Sequence, residues 1–129
     1  MHSAAIHLLR RVSREDARAG VSPARLSALS VLVFAGPKTM TELAEAERVR
    51  LPTMSRLVAG MEDEDLVKRT PHASDGRSVR IAATARGRRI LQRARERRLA
   101  RLVELLEHAD DREVAVVREA AEIIERALE

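Results

Sequence analysis

The chain has 129 residues, no cysteine, and 24 Lys plus Arg against 20 Asp plus Glu, a net charge of +4. That length suits a single domain over 1–129 with a modest core. The missing cysteines exclude disulfides, thiolate zinc sites and thiol redox sensing by this chain, and no apolar run approaches the roughly 20 residues of a membrane span.

The distribution of charge says more than its total. Residues 66–101 hold twelve basic against two acidic residues, whereas residues 102–129 hold three against nine. A basic middle next to an acidic end points to an anionic partner at one place on the surface.

In chain order, Ala5, Leu8, Leu9 and Val12 fall at helical spacing and predict an amphipathic first helix. The first fourteen residues are Arg-rich and acid-free, as in a mitochondrial presequence, but the structural helix is the stronger reading and a cytoplasmic protein is expected. Gly20 breaks the pattern. Ser22-Pro23 then supplies an N-cap and a first-turn proline, and Leu26, Leu29 and Val33 mark an apolar face that Gly36-Pro37 ends. Thr41 is expected to cap a short helix to about Arg48, with Glu42 and Glu45 near its positive end.

Arg50 to Asp65 predicts the next helix, with Met54, Leu57, Val58 and Met61 inward and Thr53, Arg56 and Gly60 on another face. Two short β-prone runs, Val67–Thr70 and Ser78–Ile81, flank a turn-rich segment from Pro71 to Arg77 and predict a hairpin. Thr84 opens a long helix reaching toward His108, roughly 36 Å at 1.5 Å per residue. Asp110 and Asp111 begin the last helix, whose Val114, Val117, Ala121, Ile124 and Leu128 form a regular seam. A lone amphipathic helix gains little stability without a partner surface, so a homodimer is expected.

A short helix, a tight turn and a second helix can dock in the major groove, where only outward side chains reach base edges. Residues 41–65 fit this arrangement, with Leu43 and Ala44 inward and Val49 plugging the turn. Candidate DNA contacts are Thr41, Arg50, Pro52, Thr53, Ser55 and Arg56 on the helices. On the hairpin, Lys68, Arg69 and Arg80 are candidates for neutralising phosphate. Arg77 at the tip suits the narrow, negative minor groove, with Asp75 placed to orient it or simply to shape the turn.

These motifs, in order and spacing, resemble the MarR family: Leu43-Ala44, Glu47-x-Val49, Pro52 through Val58, Leu66-Val67, Asp75-x-Arg77 and Thr84-x-x-Gly87. The resemblance covers nearly the whole chain. It implies a mainly α fold with a small β-hairpin wing: a winged helix-turn-helix lobe over 21–83 and dimerisation helices over 1–20 and 84–129. It further implies a palindromic DNA site, major-groove entry by residues 52, 53, 55 and 56, and minor-groove entry by Arg77. The dimer interface is assigned to Leu9, Leu102, Leu106, Val114, Val117, Ala121, Ile124 and Leu128. The resemblance also admits a small-molecule effector in a cavity carried onto Arg11, Ser27, Val31 and Ile90. Three departures stand out. Asp65 occupies the usual glycine before Leu66-Val67, Ala83 replaces the usual leucine, and Phe34 is the only aromatic residue.

The histidines at 2, 7, 72 and 108 form no tight ligand motif, so no metal or cofactor is expected. No phosphate loop, nucleophile–base pair or carboxylate pair is recognisable, so no enzyme is expected. The expected function is a DNA-binding transcriptional regulator, a ligand-responsive repressor acting as a homodimer on double-stranded DNA without membrane association. The alternative is a winged-helix protein-interaction module that does not bind DNA.

Overall fold

The computed structural model describes residues 2–18, 20–71 and 78–128. These residues form α1 (His2–Arg18), α2 (Pro23–Phe34), α3 (Met40–Ala46), α4 (Leu51–Asp63), β1 (Val67–Pro71), β2 (Val79–Ala83), α5 (Ala85–Leu105) and α6 (Asp111–Leu128). Contacts divide the chain into two compact units, Met1–Arg98 and Leu99–Glu129.

In the first unit, local chemistry sets the helix ends. The Ser22 hydroxyl accepts from the Arg25 amide at 3.3 Å, and Pro23 follows as the first helical residue, as expected. Gly36, at φ +79°, releases the chain after α2. The cap of α3 differs from expectation. Thr39, not Thr41, is the N-cap, because Glu42 lies three residues after Thr39 and closes a reciprocal capping box. The Glu42 amide donates to the Thr39 hydroxyl at 3.2 Å, and the Thr39 amide donates to the Glu42 carboxylate at 2.8 Å.

The core centres on α2, α3, α4 and the strands. Leu29, Leu43, Met54, Val58, Met61 and Leu66 are all fully buried, each contributing about 1.5–3 kcal/mol by leaving water. Leu57, expected inward, is only half-buried at the edge of that cluster. A second, smaller cluster joins Val21 and Leu26 to Ala94 of α5.

After α4 the chain turns through Asp65 at φ +56°, so the aspartate adopts the left-handed conformation its position calls for. The strands pair antiparallel, Val67 opposite Ala83 and Pro71 opposite Val79. Ile81 also exchanges both backbone hydrogen bonds with Lys38, at 3.1 and 2.7 Å, tying the wing to the loop before α3. The Thr84 hydroxyl donates to the Asp65 carbonyl at 2.6 Å and accepts from the Gly87 amide at 3.0 Å, capping α5 and fastening it to the α4–β1 connection. Across the unit, Asp16 of α1, nearly inaccessible at 3% exposure, receives two hydrogen bonds of 2.7 Å from the Arg98 guanidinium of α5.

In the second unit, Asp110 and Glu113 form another reciprocal capping box, with bonds of 2.8 and 3.0 Å, and so start α6 where the two aspartates predicted. No described residue of α6 is buried, although Val116, Val117, Ile123 and Ile124 are each about half exposed.

Candidate nucleic-acid interface

The recognition geometry follows from the burial pattern of α4. Met54, Val58 and Met61 anchor one face in the core, so Pro52, Thr53, Ser55, Arg56 and Ala59 are left exposed on the other. Arg50 precedes the helix in extended conformation and is exposed. Thr41 is exposed on the first turn of α3. Between the helices, Arg48 takes φ +53° and the Val49 amide donates to the Ala44 carbonyl at 3.0 Å. Val49, expected to plug this turn, is 38% exposed, whereas Leu43 and Ala44 are buried as expected.

The capping box also sets local electrostatics. The Thr39 amide bond, with Arg80 and Lys38 nearby, holds the Glu42 carboxyl below the usual carboxylate range.

On the wing, Lys68 is exposed. Arg69 bonds Glu62 of α4 at 3.0 and 3.2 Å, and Arg80 donates to the Pro37 carbonyl at 3.2 Å with its Nε buried and unpartnered. In the chain, then, Arg69 ties β1 to α4 while staying about half exposed, and Arg80 ties β2 to the loop before α3. Asp75 and Arg77 lie outside the described residues.

Apolar side chains of the expected dimer surface are open. Leu9 is 66% exposed on α1, and Val117, Ile124 and Leu128 are 46%, 48% and 81% exposed on α6. Leu102, Leu106 and Val114 are half-buried and Ala121 is exposed. Sequence reasoning passed over Leu99, Val103, Val116 and Ile123, which are equally open; their pairing with the named seam was visible as a second apolar row on the same helices.

A cavity of about 640 Å³ opens between α2 and the first turns of α5. Of the four residues carried over for an effector, Ser27 lines it, whereas Val31 and Ile90 pack against the core and Arg11 is exposed on α1. The sequence reading did not single out Arg88, Arg89 and Arg95, which line its other side. Their spacing on one helix was the available signal. No group of three metal-ligating side chains occurs among the described residues.

A three-helix core, a turn with a left-handed residue, an outward polar face on the second helix and a pinned hairpin together define a winged helix-turn-helix protein. Residues 19–78 match the model of the MarR family. The chain is 36% identical over 121 residues to an uncharacterized HTH-type transcriptional regulator of Mycobacterium leprae, covering 94% of this chain and 85% of the relative. It is 35% identical over the same length, with the same coverage, to an HTH-type transcriptional regulator of Mycobacterium tuberculosis. Among solved structures, a MarR family protein from Bacillus stearothermophilus superposes with a TM-score of 0.85 at 26% identity, covering 98% of this chain and 89% of that one. The chain belongs to the MarR family: it is a transcriptional regulator with a DNA-binding winged-helix fold.

Proposed function

We propose that the chain acts as a homodimeric repressor that occupies a palindromic operator, with one α4 helix in each major-groove half-site. The terminal helices form the dimerisation region and residues 21–83 the reading lobe. The observation that carries this reading is the split face of α4, with Met54, Val58 and Met61 fully buried and Thr53, Ser55 and Arg56 exposed. The open apolar rows on α6 support dimerisation, since they need a partner surface, and dimeric DNA binding is the habit of the family. Half-sites then lie about one helical turn, roughly 34–36 Å, apart. Arg77 is assigned to the minor groove.

A small-molecule effector is part of the proposal. A ligand that binds more tightly to a dimer with misplaced α4 helices lowers DNA affinity by that difference. The cavity beside Ser27 is its assigned site.

Retardation of promoter fragments at two salt concentrations tests the core of this reading. Several phosphate contacts predict a steep loss of affinity with salt. A flat or absent response, with the dimer intact, overturns it in favour of a protein-interaction module.

A further inference from the structure

Arg88 and Arg95 stand two turns apart on one side of α5, about 10 Å by helical rise, and both line the cavity together with Arg89. Among the described residues, none of the three guanidinium groups has an ion pair or a hydrogen bond to the protein. Arg98, at the end of the same wall, is different: it is already engaged by Asp16. Among the described residues the lining contains no carboxylate. Two lie just behind it: the Ser27 hydroxyl of the opposite wall donates to Glu47 at 3.0 Å, and the Gln92 amide donates to Glu96 at 3.1 Å.

The three guanidiniums face the cavity directly, while Glu47 and Glu96 lie behind it, each on a lining residue, so the lining itself offers positive charge only. A carboxylate ligand has two oxygens and fills one guanidinium fork, whereas a phosphate or diphosphate has oxygens enough to accept paired N–H bonds from more than one of the three. Phe34 is the only aromatic side chain at the cavity and is 72% exposed, so a flat aromatic body finds little to stack on.

Glu47 gives the cavity a route to the reading head. It caps the C-terminus of α3, directly before the left-handed Arg48 of the helix-turn-helix turn. A phosphate oxygen accepting from Ser27 takes the hydrogen bond that Glu47 now receives, and the two like charges repel. Glu47 then leaves Ser27, and the turn that aims α4 loses this polar tie to α2, while the apolar packing of α2 on α3 and α4 remains.

We propose that this cavity binds a small phosphorylated metabolite through Arg88, Arg89 and Arg95, and that the Ser27–Glu47 hydrogen bond transmits its occupancy to the turn before α4. The inference rests on the effector-responsive reading above, and deepens it by naming ligand class and relay.

The test is calorimetric titration of the full chain with inorganic pyrophosphate, with benzoate as the aromatic monoanion. Saturable pyrophosphate binding is expected, weakened about tenfold or more in the double variant Arg88→Gln/Arg95→Gln. Arg86→Gln/Arg93→Gln, on the same helix but outside the cavity, should leave it unchanged. Equal loss in both double variants, or saturation by benzoate alone, overturns the ligand class. In DNA-binding assays at matched ionic strength, with sulfate as the control salt, pyrophosphate should shift operator affinity in the parent protein. The shift should vanish in Glu47→Gln while pyrophosphate binding persists; a full shift in Glu47→Gln overturns the relay. Operator binding without any pyrophosphate binding sinks this inference alone, whereas absence of operator binding sinks the regulatory reading beneath it.

Discussion

The carbonyl oxygen of Leu66 occupies the space that a β-carbon on Gly87 would need, and the Leu29 side chain closes on the same point at 3.0 Å. The Thr84 amide donates to that same oxygen at 3.0 Å. The first turn of α5 therefore lies directly against the α4–β1 connection, and only glycine permits the approach. Gly87→Ala should force the helix off the wing base and cost about 1–3 kcal/mol, the range for overpacking a tight contact. Chemical denaturation measures this; an unchanged midpoint would show that the contact yields freely.

The Asp16–Arg98 pair joins α1 to α5 across 82 residues of sequence. Arg98→Met strands a carboxylate that is only 3% exposed. Arg98 is itself about one-third exposed, so the loss should be toward the lower side for broken buried pairs, about 2–3 kcal/mol. Urea unfolding of the variant, compared with Asp16→Asn, reports it, and Asp16→Asn should cost less because no charge is left buried.

Arg56 is exposed on the open face of α4. Arg56→Ala is expected to weaken specific DNA binding by about 1–3 kcal/mol, and Arg77→Ala by a similar amount, with the dimer intact in both. Titration against operator and scrambled duplexes separates the roles: a loss equal on both duplexes assigns the residue to phosphate, a loss on the operator alone assigns it to recognition.

Ile124 is 48% exposed in the chain and belongs to the α6 seam. Ile124→Glu places a charge where the partner helix is expected, so the variant should sediment as a monomer with its helical content retained. Persistence of the dimer would move the interface elsewhere.

The Thr39–Glu42 capping box makes a pH prediction. Because the folded-state pKa of Glu42 lies below its ordinary value, its contribution is complete above the ordinary carboxylate range and is lost as pH falls through the lowered value. Thr39→Val removes the hydroxyl acceptor and should cost about 1 kcal/mol near neutrality. An NMR titration of Glu42 should also move upward in that variant, since the Thr39 side chain adds to the Thr39 amide in favouring the charged carboxylate; an unmoved titration would leave the shift to the backbone bond alone.

Where structure depends on a few neighbouring residues, the amino-acid order was enough. Ser22-Pro23 and Asp110 with Glu113 start helices by satisfying orphan amides within one turn, and Met54, Val58 and Met61 are inward because helical spacing puts them on one stripe. Even the misplaced α3 cap was locally written, since Thr39-x-x-Glu42 is a capping box and Thr41 has no acid three residues on. The Lys38–Ile81 bridge, the Asp16–Arg98 pair, the Ser27–Glu47 bond and the arginine-lined cavity were settled only by the tertiary fold. Each joins segments 20 or more residues apart, and which side chains meet there depends on how whole elements pack, a quantity that no short-range periodicity encodes.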